Sequence, residues 1–222
     1  MFRKGAQVAI STTVLLKSMY VAEHLGKKVV YYFQSDSAVS DFSNDRCQPM
    51  LETSPYLMSR LGSTVNVQLK HIGPGALYFR GLMTRGAAKS IDADMMVADE
   101  LDEAPEANYH FAFDRLMHSD LQWAHSLSQP SIPGFGIDKQ FEDTDQRYWN
   151  LICPSCGFHN CLELNWPSNF IPVTKARRKT FPDGATHYRG CLKCSSRLNP
   201  AHGEWIAKYP NRFKRGYHLS QL

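Results

Sequence analysis

At 222 residues the chain has room for one good-sized domain, or one domain with a small satellite. Apolar residues make up 43% of it, enough for a packed core, which excludes a disordered chain; no apolar run approaches the roughly 20 residues that a bilayer-crossing helix needs. The net charge of +4 is too mild to imply nucleic acid by itself, and MFRKGAQVAIS lacks the apolar stretch and cleavage site of a secretory leader, so the chain reads as soluble, intracellular and free of membrane.

In chain order, residues 3–12 (RKGAQVAIST) read as a phosphate-loop-like stretch leading into a helix over 12–25 that Gly26 closes. KKVVYYF (27–33) reads as a buried strand. Ser35 or Asp36 can cap the next helix, which is expected to run to about Leu61 with breaks near Pro49 and Pro55. VNVQLKHI and ALYFRG are strand candidates around a Gly73-Pro74-Gly75 turn. A strand over 94–98, a helix over 105–118 and a strand LQWAHSLS (121–128) ending at Gln129-Pro130 complete the pattern. Strands alternating with helices predict a three-layer α/β fold on a parallel sheet. Past residue 149 the composition turns to cysteine pairs, Trp and Pro, which suggests a small irregular module.

The stretch MMVADELDEAP runs a buried strand into Asp99 and Glu100. Two acids at the carboxyl end of a central strand are either a solvated turn or a site in which one carboxylate holds a Mg²⁺ shell and the other polarises water toward a phosphate. Ser11 and Thr12 stand where a hydroxyl can bind Mg²⁺, at a helix start whose amides would face phosphate. The stretch departs from G-x-x-x-x-G-K-[ST]: Ile10 precedes Ser11 where lysine is expected, and Ala9 stands in place of a glycine.

The strongest signal is Cys153-Pro-Ser-Cys156 and Cys191-Leu-Lys-Cys194, two knuckles 34 residues apart. Each C-x-x-C turn sets two thiolates on one side of a tight loop, and two such turns complete a tetrahedral Cys₄ zinc site; four protein thiolates leave no open position, so the metal would be structural. A redox dithiol is the competing reading. The long gap predicts a hairpin with an extended loop through 167–186. Cys161 and His159 are spare donors nearby, and Cys47 reads as a buried small residue. Acids gather between Asp92 and Glu106. Lys175, Arg177, Arg178 and Lys179, then Arg212, Lys214 and Arg215, make the second half basic, as either a solvated or a phosphate-contacting surface.

Taken in order over nearly the whole chain, KGAQVAIST, LYFRGLMTRGAAKSIDADMMVADELDEAP, SQPSIPGFGIDKQFEDTDQRYWNLICPSCG, GEWIAKYP and GYHLSQL resemble the ATPase domain of the lambda-type large terminase subunit, the DNA-packaging motor of tailed bacteriophages and prophages. The resemblance implies a P-loop NTPase-like sheet with a zinc-ribbon-like module. The domains would be a P-loop ATPase domain over 1–149, the zinc module over 150–200, and a junction to a nuclease domain over 201–222. It places the loop lysine early, at Lys4, on the β- and γ-phosphates of ATP. Gly5, Gln7, Ser11 and Thr12 would line the nucleotide, Ser11 and Asp99 would hold Mg²⁺, and Glu100 would be the catalytic base. Ser128, Gln129 and Pro130 match a coupling motif in which Gln129 replaces a more usual Thr. Arg85 and Arg147 are candidates for stabilising transition-state charge, with surface salt bridges as their alternative. The implied partners are double-stranded DNA, a small terminase subunit and a capsid portal, acting as an oligomer in the host bacterium's cytoplasm. Because the chain opens at the loop and stops at the junction, a fragment without the strand that feeds the loop is expected.

A second class of function stays open: a zinc-stapled DNA- or protein-docking fragment whose ATPase has decayed, favoured by Ala9 and Ile10. A helicase-like ATPase is weaker, because no helicase tetrad or second helicase domain is found. Any DNA contact through Lys and Arg predicts salt-sensitive, sequence-tolerant binding.

Overall fold

The computed structural model describes residues 1–174 and 184–221. The Lys175, Arg177, Arg178 and Lys179 cluster, much of the expected 167–186 loop, and Leu222 lie outside the described residues. The chain divides into two compact units, residues 1–142 and 143–222.

In the first unit, strand β1 (Phe2–Lys4) leads into helix α1 (Ile10–Leu25), then β2 (Lys28–Phe33), α2 (Asp36–Phe42), a π-helical turn (Ser43–Cys47), α3 (Gln48–Glu52) and α4 (Pro55–Ser59). Strands β3 (Leu61–Val65), β4 (Leu69–Ile72) and β5 (Gly75–Gly81) follow, then α5 (Arg85–Lys89), β6 (Met95–Asp99), α6 (Glu106–Phe113), β7 (Trp123–Ser128) and α7 (Gly136–Glu142). The strand order is β1-β7-β6-β2-β5-β4-β3. The pairs from β1 to β5 are parallel, while β4 and β3 add an antiparallel edge.

Period-2 alternation in β2 explains the layering. Val29, Tyr31 and Phe33 pack with Val14, Leu15, Phe42 and Leu51 from α1, α2 and α3 on one face. Val30 and Tyr32 pack with Ala88, Tyr109, Ala112 and Ile137 from α5, α6 and α7 on the other. Each such side chain, withdrawn from water, contributes on the order of 1.5–3 kcal/mol, enough to hold helices on both faces. The three-layer α/β architecture is as expected from the sequence. No described helix is long and apolar enough to cross a membrane.

Several local expectations are corrected. Residues 2–4, read as the front of a loop with no strand to feed it, form β1, with Phe2 opposite Leu127 of β7. Helix α1 begins at Ile10 rather than 12 and stops where Gly26 turns left-handed at φ 63°. The helix expected to run to about Leu61 ends at Ser59, while its breaks near Pro49 and Pro55 are as expected: α3 follows the π turn with Pro49 in its first turn, and Ser54 caps α4 ahead of Pro55. VNVQLKHI is not one strand. The Asn66 side chain accepts hydrogen bonds from Gln68 N–H and Leu69 N–H at 2.9 Å each, a local turn that separates β3 from β4.

The second unit is built on β8 (Arg147–Ile152), paired antiparallel with β9 (His159–Cys161) and β12 (Gly203–Ala207) and parallel with β13 (Tyr217–Leu219). A separate antiparallel pair joins β10 (Phe170–Pro172) to β11 (His187–Arg189). Among the described residues its buried apolar cluster is small: Leu151, Cys153, Leu162, Cys191 and Leu198.

Candidate functional site

The parallel register sets the carboxyl ends of β1, β7, β6 and β2 along one edge of the first unit, and a cavity of about 500 Å³ opens there. One wall is the loop from Lys4 to Ser11 and the neighbouring acids Asp99 and Glu100. Lys4, only 9% exposed, ends β1. Its ammonium donates to Ser11 Oγ at 3.1 Å, Asp99 Oδ1 at 3.0 Å and Glu100 Oε1 at 2.9 Å. Asp99 is 3% exposed and also accepts from the Tyr31 hydroxyl at 3.1 Å and from Glu100 N–H at 3.1 Å. Glu100 sits left-handed at φ 52°, which turns its half-open side chain toward the cavity, a local conformation that costs energy and recurs at functional sites.

Burial alone would lower the Lys4 ammonium, but the Asp99 charge and hydrogen bonds to both acids outweigh it and raise the group above its ordinary value. Tyr31 is pushed well up by burial and then by Asp99, so it stays a hydrogen-bond donor. Three oxygens thus converge on one point already filled by a cation, and hydroxyl plus carboxylate is the donor set that a hard divalent ion takes. Ser11 Oγ and Asp99 Oδ1 could hold Mg²⁺ once the ammonium moves aside.

The loop explains its own departure from the ordinary phosphate-loop pattern. Gln7 and Ala9 both adopt left-handed backbone, at φ 55° and 57°, conformations that glycine takes freely. Ala9 is the residue before α1 and offers it no side-chain cap. The left-handed region costs alanine roughly 1–2 kcal/mol, while glycine returns part of that as extra freedom of the unfolded chain. Ala9→Gly is therefore expected to stabilise the chain by up to about 1 kcal/mol, read as a higher midpoint in urea unfolding. A lower midpoint would sink the strain argument.

Of the other expected residues, Gly5 and Gln7 line the cavity, whereas Thr12 lies one residue further along α1 and outside its lining. Ser128 Oγ accepts from Asp102 N–H at 3.2 Å and donates to the Gln129 carbonyl at 3.1 Å, and Gln129 lines the cavity. Asp102, three residues past Asp99, accepts from Ile137 N–H at 2.7 Å and from the Ser131 amide and hydroxyl at 2.9 Å each, so it fastens the segment after β7. The Arg85 guanidinium lies 4.4 Å over the Phe111 ring. Arg147 belongs to the second unit, where its Nε donates to the buried Asp145 at 2.7 Å. Asp145 also accepts from Arg215 at 2.8 Å and Gly216 N–H at 3.0 Å. The sequence reading did not include Tyr31, Gln34, Asp41, Phe42, Asp45 or Arg46, all of which but Tyr31 line the cavity.

The second unit brings its four cysteines together. All four Sγ atoms lie within 4.8 Å of one another, with Cys153–Cys194 at 3.5 Å and Cys156–Cys191 at 3.7 Å. A tetrahedral ion with Zn–S bonds of about 2.3 Å separates its sulfurs by about 3.8 Å, so the spacing fits. Both knuckles fold alike. Gly157 N–H donates to the Cys153 carbonyl at 2.9 Å, and Ser195 N–H to that of Cys191 at 2.8 Å, with Gly157 and Ser195 both left-handed. Cys161 instead donates to Glu163 at 3.3 Å, and His159 faces Glu204 at 3.4 Å. Cys47 is buried, which pushes its thiol up to about 12.

The chain is 23% identical over 232 residues to the terminase large subunit of Enterobacteria phage P21, covering 96% of the chain but 36% of that protein. The chain thus spans about a third of that relative's length. The large terminase ATPase domain of Thermus phage P74-26 has a similar fold, with a TM-score of 0.53 at 12% identity over 72% of this chain and 70% of that one. The large terminase of a thermophilic bacteriophage aligns at TM-score 0.49 and 16% identity, over 64% of this chain and 35% of that one. The family model for the ATPase domain of the phage terminase large subunit gpA matches residues 1–208, and the chain belongs to that family.

Proposed function

We propose that this chain is an ATP-hydrolysing motor domain that couples Mg-ATP hydrolysis to the packaging of double-stranded DNA into capsids. The observation that carries the reading is the convergence of Lys4, Ser11, Asp99 and Glu100 on one cavity wall at the carboxyl end of a parallel sheet.

In this reading Lys4 exchanges its two carboxylates for the β- and γ-phosphates of ATP, and the amides of Gly5 to Ser11 line the phosphate tail. Ser11 and Asp99 hold Mg²⁺, which when bound neutralises charge on the phosphate oxygens. Glu100, released from Lys4, accepts the proton of the attacking water. Tyr31, kept protonated, holds Asp99 in its orientation throughout. Little covalent work is asked of the protein, so rate comes from positioning and charge. Arg147 is committed to Asp145 and serves the second unit; Arg85, on the short α5, is the remaining candidate for transition-state charge. The four cysteines take structural zinc. The partners, as for a packaging motor, are double-stranded DNA, a small terminase subunit and a portal, in an oligomer working in the host cytoplasm.

Left-handed Gln7 and Ala9 favour the second reading, a docking fragment with a decayed loop. Mg²⁺-dependent ATP hydrolysis, with and without DNA, beside Glu100→Gln separates the two. The motor reading expects the variant to lose about 10²–10⁴-fold in kcat while still binding ATP. A folded chain with no turnover in either form would leave the docking reading.

A further inference from the structure

We propose that Arg46 is a second cation of the nucleotide site, reaching the terminal phosphate of a bound nucleoside triphosphate in the cavity that Lys4 also lines, within the same chain. This rests on the nucleotide reading above and adds a residue to it.

Topology brings Arg46 there. Strand β2 lies beside β6, with Tyr32 opposite Ala98, so the chain leaving β2 at Gln34 passes the Asp99 end of the sheet. It then forms α2 and the π turn at Ser43–Cys47. A π turn inserts an extra residue and re-aims the side chains around it, which is why such turns recur at functional sites. Here Cys47 is directed into the core while its neighbour Arg46 lines the cavity together with Lys4, Asp99 and Glu100.

The guanidinium is uncommitted. It lies 5.8 Å from the Phe42 ring centre and, among the described residues, makes no ion pair, although Asp41 and Asp45 line the same cavity. Its charge nevertheless acts at the acid end of the cavity, where it opposes the rise of the Tyr31 hydroxyl that donates to Asp99. A planar cation with no carboxylate partner, lining the same cavity as Asp99 and Glu100, is suited to the equatorial oxygens of a phosphoryl group.

An independent observation in the same cavity points to a ligand. Gln34 Oε1 is buried without a hydrogen-bond partner among the described residues, and Gln34 lines the cavity. A buried carbonyl oxygen needs a donor, and a water facing the terminal phosphate supplies one. A cation and a water acceptor lining the same cavity as Lys4 and Glu100 are the groups that phosphoryl transfer to water asks for.

The test uses the 222-residue chain, Arg46→Ala and Arg46→Lys, titrated with a non-hydrolysable ATP analogue and with ADP, alongside Mg-ATP turnover and thermal unfolding. Arg46→Ala is expected to weaken the triphosphate by about 10- to 100-fold while ADP stays within about twofold, the loss of a charge-assisted contact made only to the terminal phosphate. The kcat should fall by about 10²-fold, with Arg46→Lys recovering part of both effects. The melting temperature should hold, since the side chain is exposed; a merely structural role would not change the triphosphate-to-diphosphate ratio. An unchanged ratio in Arg46→Ala overturns the proposal and leaves the nucleotide reading intact. A wild-type chain that binds neither nucleotide overturns both.

Discussion

Lys4→Met is expected to abolish measurable nucleotide binding and, in the same chain without nucleotide, to cost about 3 kcal/mol of stability. The two losses share a cause. With no phosphate present, the ammonium serves Asp99, and both partners are shielded from water, at 10% and 3% side-chain exposure. Removing one member of a buried pair leaves the other uncompensated, and the Tyr31 hydroxyl is a neutral donor that replaces little of the charge. The Lys4–Glu100 contact adds little, because the Glu100 side chain is 40% exposed and screened.

The pH dependence has a fixed sign. Lys4 is raised in the folded chain above 10.5, so its contribution is fully present below 10.5 and is lost as pH rises through the higher folded value. The stability gap between wild type and Lys4→Met should be flat from neutral pH to about 10 and then narrow. Urea unfolding at several pH values reads this directly. Adding Asp99→Asn to Lys4→Met should recover part of the loss, because the stranded charge goes with it. Equal stability of wild type and Lys4→Met across this range would mean the acid pair is relaxed by water, and the ammonium is not what holds it.

The grouping of Lys4, Ser11, Asp99 and Glu100 was legible in the sequence because it depends on residue types at strand ends. An apolar run followed by two acids survives translation into three dimensions, as does a cysteine spacing that few arrangements besides a metal site produce. So did β2 and the Gly26 stop of α1, where local pattern and tertiary packing agree. What escaped notice is non-local or irregular. Strand β1 has three residues and exists through its partner β7, some 125 positions away, so no periodicity could announce it. The π turn carries no sequence signature that separates it from the α-helix around it, and with it went Arg46. Gln34 follows β2 directly, and only the fold makes it part of the cavity lining. Arg147 shows the opposite case: a motif supplied a candidate role, while the side chain's own neighbours tie it to Asp145.

Zinc removal should produce the largest effect of all, confined to the second unit. Among the described residues its buried apolar cluster has five members, and two of them, Cys153 and Cys191, belong to the thiol set. So few buried side chains cannot offset the entropy of ordering the segments that β8 joins. Four thiolates on one ion can, because structural zinc in small modules supplies on the order of 10–16 kcal/mol of folding free energy. The purified chain is expected to carry one zinc per molecule, released by a thiol-blocking reagent. Cys191→Ser should lose that zinc and expose residues 143–222 to limited proteolysis, with residues 1–142 still resistant. The first unit has helices packed on both faces of its own sheet and does not draw on the metal for its core. Hydrogen exchange on the metal-free chain gives the same division by a different route: amides of β8 and β12 should lose protection while those of β2 and β6 keep it. If β8 stays protected after the zinc is gone, the thiols are ordinary core residues that happen to meet. The knuckle hydrogen bonds at Gly157 and Ser195 would then be what holds the two turns together.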